Sequence, residues 1–185
     1  EKNKRVDDTP FGGGPGMVIK PDVIDRALLS LKSNDFPIYY LSPRGVKLDA
    51  QISNYISKLD GMILVCGKYE GVDERVIEHY NMTEISIGDY ILSGGDLAAM
   101  VLIDSVVRCL PNVLGNPLTL NEETFTNHLL EYPLYTQPRE WKNYKVPDVL
   151  LSGDHKKIKN WKIKQSEDIT MKRRPDLWKK YLKLK

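Results

Sequence analysis

The stretch EISIGDYILSGGDLAAMVLIDSVVR, residues 84–108, decides the fold: an apolar strand-like run breaks at a glycine-punctuated loop and resumes as one long apolar helix. Ile85, Ile87, Tyr90, Ile91 and Leu92 suit buried extended chain, interrupted by Gly88. Gly94 and Gly95 let the backbone approach a ligand with no side chain between. Asp96 is a candidate cap for the following helix, Leu97 to Leu110, which is apolar nearly all round and therefore predicts burial on more than one side. Such a loop at a helix start suits a small-molecule cradle, and a tight turn needing glycine for geometry alone fits the same residues. Neither GxGxxG nor GxxxxGK[ST] is present, so a nucleotide-dependent oxidoreductase and a P-loop enzyme are disfavoured.

Working outward, 185 residues with 41% hydrophobic content support one good core and a smaller appendage. The longest apolar run, Leu97 to Ile103, is far short of a membrane span, and no charged-then-apolar leader opens the chain. No membrane association is expected, and Glu1 in place of Met suggests a trimmed chain. Cys66 and Cys109 lie in apolar surroundings without a CxxC pattern, which predicts buried thiols in a reducing cytoplasm. His79, His128 and His155 are scattered; no metal ligands are assigned and a structural zinc is not expected.

The net charge of +2 conceals an asymmetry. Residues 1–138 carry 12 Lys and Arg against 19 Asp and Glu, a balance of −7, whereas residues 139–185 carry 15 against 6, a balance of +9. A basic module on an acidic body predicts a polyanionic partner, most simply nucleic acid. Trp141, Tyr144, Trp161, Trp178 and Tyr181 interleave with the basic residues, so this module is expected to fold.

Along the chain, the glycine-rich opening (Gly12, Gly13, Gly14, Gly16) reads as a functional or mobile loop. Pro21 starts a helical pattern, Ile38–Leu41 a short strand ending in Ser42 and Pro43, and Asp49–Leu59 an amphipathic helix. Met62–Cys66 is the clearest buried strand, followed by the glycine-bounded loop from Gly67. Alternating strands and helices predict a parallel sheet covered on both faces, with ligands beyond the carboxyl ends of the strands. Three loops meet that condition: Leu41–Pro43, Gly67–Gly71 and Ile87–Gly95. Asn112–Glu122 reads as a linker, Glu122–Leu130 as a short helix, Asp154 as a helix cap and Pro175 as the first turn of a last helix.

FGGGPGM (11–17), YLSPRGVKLD (40–49), LVCGKYEGVDERV (64–76), SIGDYILSGGDLAAMVLIDSVVR (86–108) and VLLSGDH (149–155) together closely resemble the bacterial tRNA (guanine-N1)-methyltransferases of the TrmD type. The resemblance implies an α/β SPOUT fold: a parallel sheet with a C-terminal trefoil knot, followed by a small, mainly helical basic domain. It implies residues 1–114 as the cofactor-binding domain, 115–122 as linker and 123–185 as the tRNA-binding domain, in a homodimer with shared active sites. Family members begin with a strand and helix ahead of the glycine-rich segment. That first strand–helix unit is expected to be missing here, leaving an exposed sheet edge.

The implied activity is methylation of N1 of the guanosine 3′ of the anticodon, in the cytoplasm. S-adenosylmethionine is the implied cofactor and Mg2+ a second candidate. Cofactor binding maps to Leu41, Ser42 and Pro43; to Gly67, Tyr69 and Glu70; and to Ile87, Gly88, Asp89, Tyr90, Ile91, Leu92, Gly94 and Gly95. Glu70 also matches a residue contacting the target base, and Lys68 stands where arginine is common.

Guanine N1 holds a proton at neutral pH, so the chemistry needs a base, and a cation near the guanine oxygen stabilises the developing charge. The family's arginine maps to Arg108, a residue that by sequence alone reads first as a helix C-terminal cation offsetting the dipole. The family's aspartate maps to Glu123, a departure whose extra methylene shifts the carboxylate by about 1 Å and costs about 100-fold unless the backbone adjusts. RNA contacts are expected at Gly13 and Gly14 and, through phosphates, at Lys156, Lys157, Lys172, Arg173 and Arg174 of the anticodon-arm-binding domain. Another SPOUT RNA methyltransferase and a non-catalytic tRNA-binding fragment remain the alternatives.

Overall fold

A computed structural model describes residues 5–31, 35–113 and 124–185. The expected linker at 115–122 and the candidate base Glu123 lie outside the described residues. The chain divides into two compact units, Glu1–Val113 and Leu114–Lys185.

The first unit is built on a parallel sheet of β3 (Ile38–Lys47), β4 (Ile63–Cys66) and β5 (Thr83–Ser86), with β3 in the middle. Period-two alternation along β3 sends successive side chains to opposite faces. Tyr39 and Leu41 pack with Ile85 against α2 (Ala50–Ile56) and α4 (Asp96–Val107). Tyr40 packs with Val65 against α1 (Pro21–Leu29) and α3 (Glu74–His79). Helices thus cover both faces, and Leu102 of α4 and Ile85 are fully buried. A short antiparallel pair, β1 (Asp7–Asp8) with β2 (Val18–Ile19), precedes the sheet.

Local chemistry accounts for the element ends. Pro21 occupies the first turn of α1, where its missing N–H costs nothing. Asp49 caps α2 by accepting from the amides of Gln51 and Ile52 at 3.0 and 2.9 Å.

Several expectations are corrected. Asp96 does not cap α4: it lies in the first turn, and Gly95 holds the cap position without a side-chain hydrogen bond. The strand expected to end at Leu41 resumes instead, for Leu41 and Val46 both register with Ile85. Ser42–Gly45 therefore bulge out of the ladder, which Pro43 favours by lacking an N–H. Met62–Cys66 is not a fully buried strand: β4 pairs on one side only among the described residues, and only Val65 in it is buried. The extended run expected through Leu92 stops at Ser86; Ile91 is 80% exposed. Nor is α4 covered all round, since Leu97, Met100, Val101, Ile103 and Val107 are exposed in the single chain. Cys66 and Cys109 are free thiols, half-buried rather than buried, and burial pushes the Cys66 pKa up.

The second unit contains a hairpin of β6 (Glu140–Trp141) and β7 (Tyr144–Lys145), then α5 (Asp148–Leu151), α6 (His155–Arg173) and α7 (Pro175–Leu182). Asp154 caps α6 by accepting from the Lys157 amide at 3.0 Å. Of the helix expected over 122–130, the described residues 124–130 form only a turn at Thr126–His128, with Phe125, Asn127 and His128 at positive φ. Thr170, fully buried, donates to the Ser166 carbonyl at 2.6 Å and accepts from the Leu130 amide at 2.8 Å, which fastens that segment to α6.

Candidate active site

All three parallel strands end at one edge of the sheet, and the loops that leave them enclose a cavity of about 310 Å³. That is the small end of the range for small-molecule sites. Each loop is shaped by close backbone approach. At the β3 bulge, a Cβ on Gly45 would stand 2.3 Å from the Glu84 carbonyl carbon and 2.4 Å from the Ile85 nitrogen, so only glycine lets the strand leave and rejoin the ladder. At the loop after β5, a Cβ on Gly95 would stand 2.9 Å from Cys66 Cα. The Gly95 amide donates to the Gly67 carbonyl at 2.8 Å, and Lys68 and Gly94 form an isolated antiparallel bridge.

Tyr40 supports this arrangement from below: its ring lies under Gly67 and its hydroxyl under Gly71, and burial raises its pKa. Tyr69, at φ 60°, is a non-glycine residue in the left-handed region beside the cavity. The glycine-rich segment is tied to the same edge, because the Glu70 amide donates to the Met17 carbonyl at 2.9 Å and Gly16 lies against the Glu70 side chain.

Of the cofactor-binding candidates, Leu41, Ser42 and Pro43, Gly67, Tyr69 and Glu70, and Ile87, Gly88, Tyr90, Ile91, Leu92, Gly94 and Gly95 all line this one cavity. Asp89 does not; it is exposed and pairs with Lys47 at 3.3 Å. Arg108 does not line it either. It caps the far end of α4, about 18 Å along the helix from Asp96 at 1.5 Å per residue. Gly13 and Gly14 have positive φ with open space around them. In the second unit Lys156 and Lys157 stand exposed in the first turn of α6, and Lys172 and Arg173 in its last. Arg174 is held by Asp176 through two hydrogen bonds of 2.8 and 2.6 Å, which lower the Asp176 pKa to about 2.

One feature of the rim escapes the sequence. Arg44, on the β3 bulge, donates from one guanidinium nitrogen to Glu74 at 2.8 Å and to Glu84 at 3.1 Å, joining the bulge to α3 and β5. These pairs raise the pKa of Arg44. A cation immediately after Ser-Pro was a visible signal, but its partners are 30 and 40 residues away. Among the described residues, no three His, Cys, Asp or Glu side chains gather as a metal-ligand set.

The family described as tRNA (Guanine-1)-methyltransferase TrmD matches residues 1–180. The chain belongs to this family. A tRNA (guanine-N(1)-)-methyltransferase of Pelagibacter ubique is 55% identical over 183 residues, covering 99% of this chain and 80% of that protein. Those of Rhodospirillum rubrum and Ruegeria pomeroyi are 50% and 49% identical, covering 98% and 97% of this chain and 76% and 75% of theirs. The TrmD-family match runs through both units, the cavity and the basic helices alike. No helix among the described residues is long and apolar enough to cross a membrane.

Proposed function

We propose that this chain is a tRNA (guanine-N1)-methyltransferase that carries the methyl group of S-adenosylmethionine to N1 of the guanosine immediately 3′ of the anticodon, position 37. Family membership over nearly the whole chain supports the activity. The observation that carries it is the cavity whose walls are three loops at the carboxyl ends of parallel strands.

The residues present suit the cofactor. Backbone amides and carbonyls of Leu41–Pro43, Gly67–Glu70 and Ile87–Gly95 can read an adenine edge, while Leu41, Ile87 and Leu92 cover its faces. When bound, S-adenosylmethionine supplies an electrophilic methyl group on a sulfonium. Glu123 takes the N1 proton, so that the nitrogen's electron pair is free to form the new bond. Arg108 stabilises the negative charge that develops toward the guanine oxygen. Mg2+ has no three-residue ligand set among the described residues.

Two further family features belong to the same proposal. The trefoil knot rests on family membership, and the loop after β5 meets the loop after β4 through the Gly95–Gly67 hydrogen bond. The homodimer with shared sites is supported by the exposed apolar side of α4 and by Arg108 lying at the helix end away from the cavity. The basic second unit holds the anticodon arm, with the cytoplasm as the compartment.

A primer-extension assay on an unmodified tRNA transcript, after incubation with S-adenosylmethionine, tests the function. The expected result is a stop at the guanosine 3′ of the anticodon that disappears when this guanosine is replaced. A stop elsewhere points to another SPOUT methyltransferase; tRNA binding without a stop points to a non-catalytic binder.

A further inference from the structure

The second unit carries an exposed aromatic pair that the chemistry above does not use. Arg139-Glu140-Trp141-Lys142-Asn143-Tyr144-Lys145 folds as a two-residue hairpin, with Lys142 and Asn143 at φ 49° and 67°, the signature of a type I′ turn. Trp141 and Tyr144 are direct cross-strand partners, so both rings rise from one face. Their centroids lie 6.5 Å apart with planes inclined by 28°, and the Lys142 ammonium lies 5.0 Å from the Trp141 ring centre. Glu140 and Lys145 occupy the opposite face in a loose 3.8 Å ion pair.

A cross-strand aromatic pair can simply stabilise a hairpin. Its surroundings point beyond that. Trp141 is 59% and Tyr144 75% exposed, and every residue from Leu134 to Lys145 is exposed, so no core lies beneath the hairpin. The other two tryptophans behave differently: Trp161 and Trp178 are half-buried and meet Tyr135 and Tyr181. Trp141 and Tyr144 instead offer π-faces to solvent among Arg139, Lys142 and Lys145, at the start of the segment whose charge balance is +9. Stacking rings interleaved with cations match an unpaired nucleotide, whose base presents a π-face and whose phosphates present negative charge.

Resting on the tRNA-methylating reading above, we propose that the 139–145 hairpin is a nucleotide-stacking element. Trp141 and Tyr144 stack on an unpaired base of the tRNA, while Arg139, Lys142 and Lys145 hold the phosphates beside it. Phosphate contacts set position; the stacked rings add a grip that salt weakens little.

The test uses the whole chain and an unmodified tRNA transcript, following affinity across a salt series together with tryptophan emission. Trp141→Ala and Tyr144→Ala are each expected to lose about tenfold in tRNA affinity with the slope against log salt unchanged. Their thermal midpoint and their binding of S-adenosylmethionine stay as in the parent chain. Trp141→Phe keeps a stacking ring and therefore the affinity, but loses the emission quenching that tRNA causes in the parent chain. Alanine variants that bind as the parent does, or whose loss appears wholly as a shallower salt slope, overturn the stacking element and leave the methyltransferase reading standing. A parent chain that binds no tRNA overturns both.

Discussion

Residues 1–113 carry 12 Lys and Arg against 16 Asp and Glu, a balance of −4, and residues 114–185 carry 15 against 9, a balance of +6, yet the acidic unit holds the loop-walled cavity. It is shaped by what side chains leave out: Gly45 and Gly95 let strands and loops come within contact of one another, and Gly67 leaves room for the Tyr40 ring. In the basic unit the candidate contacts are long, exposed side chains at the ends of α6, of which Lys157 pairs with Asp154 at 3.3 Å. The difference teaches where each unit is vulnerable. A site made of backbone fails at single methyl groups, whereas one made of surface charge fails gradually and in proportion to salt.

The sharpest way to break this contrast is Gly45→Ala. Its new methyl meets backbone of β5 rather than a flexible side-chain end, so a destabilisation on the order of 3 kcal/mol is expected, with loss of cofactor binding. Thermal denaturation and titration with S-adenosylmethionine measure both. A variant as stable as the parent would mean that the bulge does not need its glycine.

Next in size is Glu123→Asp. If the longer side chain displaces the base, single-turnover methylation should rise, by as much as about 100-fold. Unchanged or slower turnover would show the backbone already adjusted to glutamate.

Much of this was legible in sequence. Glycine at 67, 88, 94 and 95 next to apolar runs marked the loops, and alternating patterns marked a parallel sheet. The return of β3 at Val46 was not legible, because Ser-Pro reads as a strand end and only pairing with Ile85 reveals the resumption. The Arg44 bridge to Glu74 and Glu84 was hidden for the same reason, since its partners meet only in the folded sheet. Asp96 reads as a cap in the sequence, but Gly95 takes the cap position, packed against Cys66. The all-round apolar character of α4 was visible, while the exposure of one side emerges only once the sheet has taken the other.

The basic unit invites a milder test. Lys156 and Lys157 stand at the positive end of the α6 dipole, where cations are unfavourable for the helix itself. Lys156→Gln with Lys157→Gln should weaken tRNA binding several-fold and lower the salt slope by about 1 per lost phosphate contact, leaving cofactor binding intact. An unchanged slope would remove these lysines from the phosphate contacts.

The smallest effect is expected at Arg174 and Asp176. The native carboxyl titrates near 2, below its ordinary 3.8, because Arg174 holds it. The pair's contribution is therefore complete above about pH 4 and is lost as pH falls through about 2. Carboxyl titration by NMR should show this, with Arg174→Ala returning Asp176 toward the ordinary value; an unshifted carboxyl would dissolve the pair and free Arg174 for phosphate.

Calorimetric titration of S-adenosylmethionine into the tRNA-free chain tests the central claim most directly, because it isolates the glycine-built cavity from the basic unit. Saturable binding that survives raised salt and the loss of Lys156 and Lys157 is the predicted result. No binding by the parent chain, or binding that vanishes with those lysines, would contradict it.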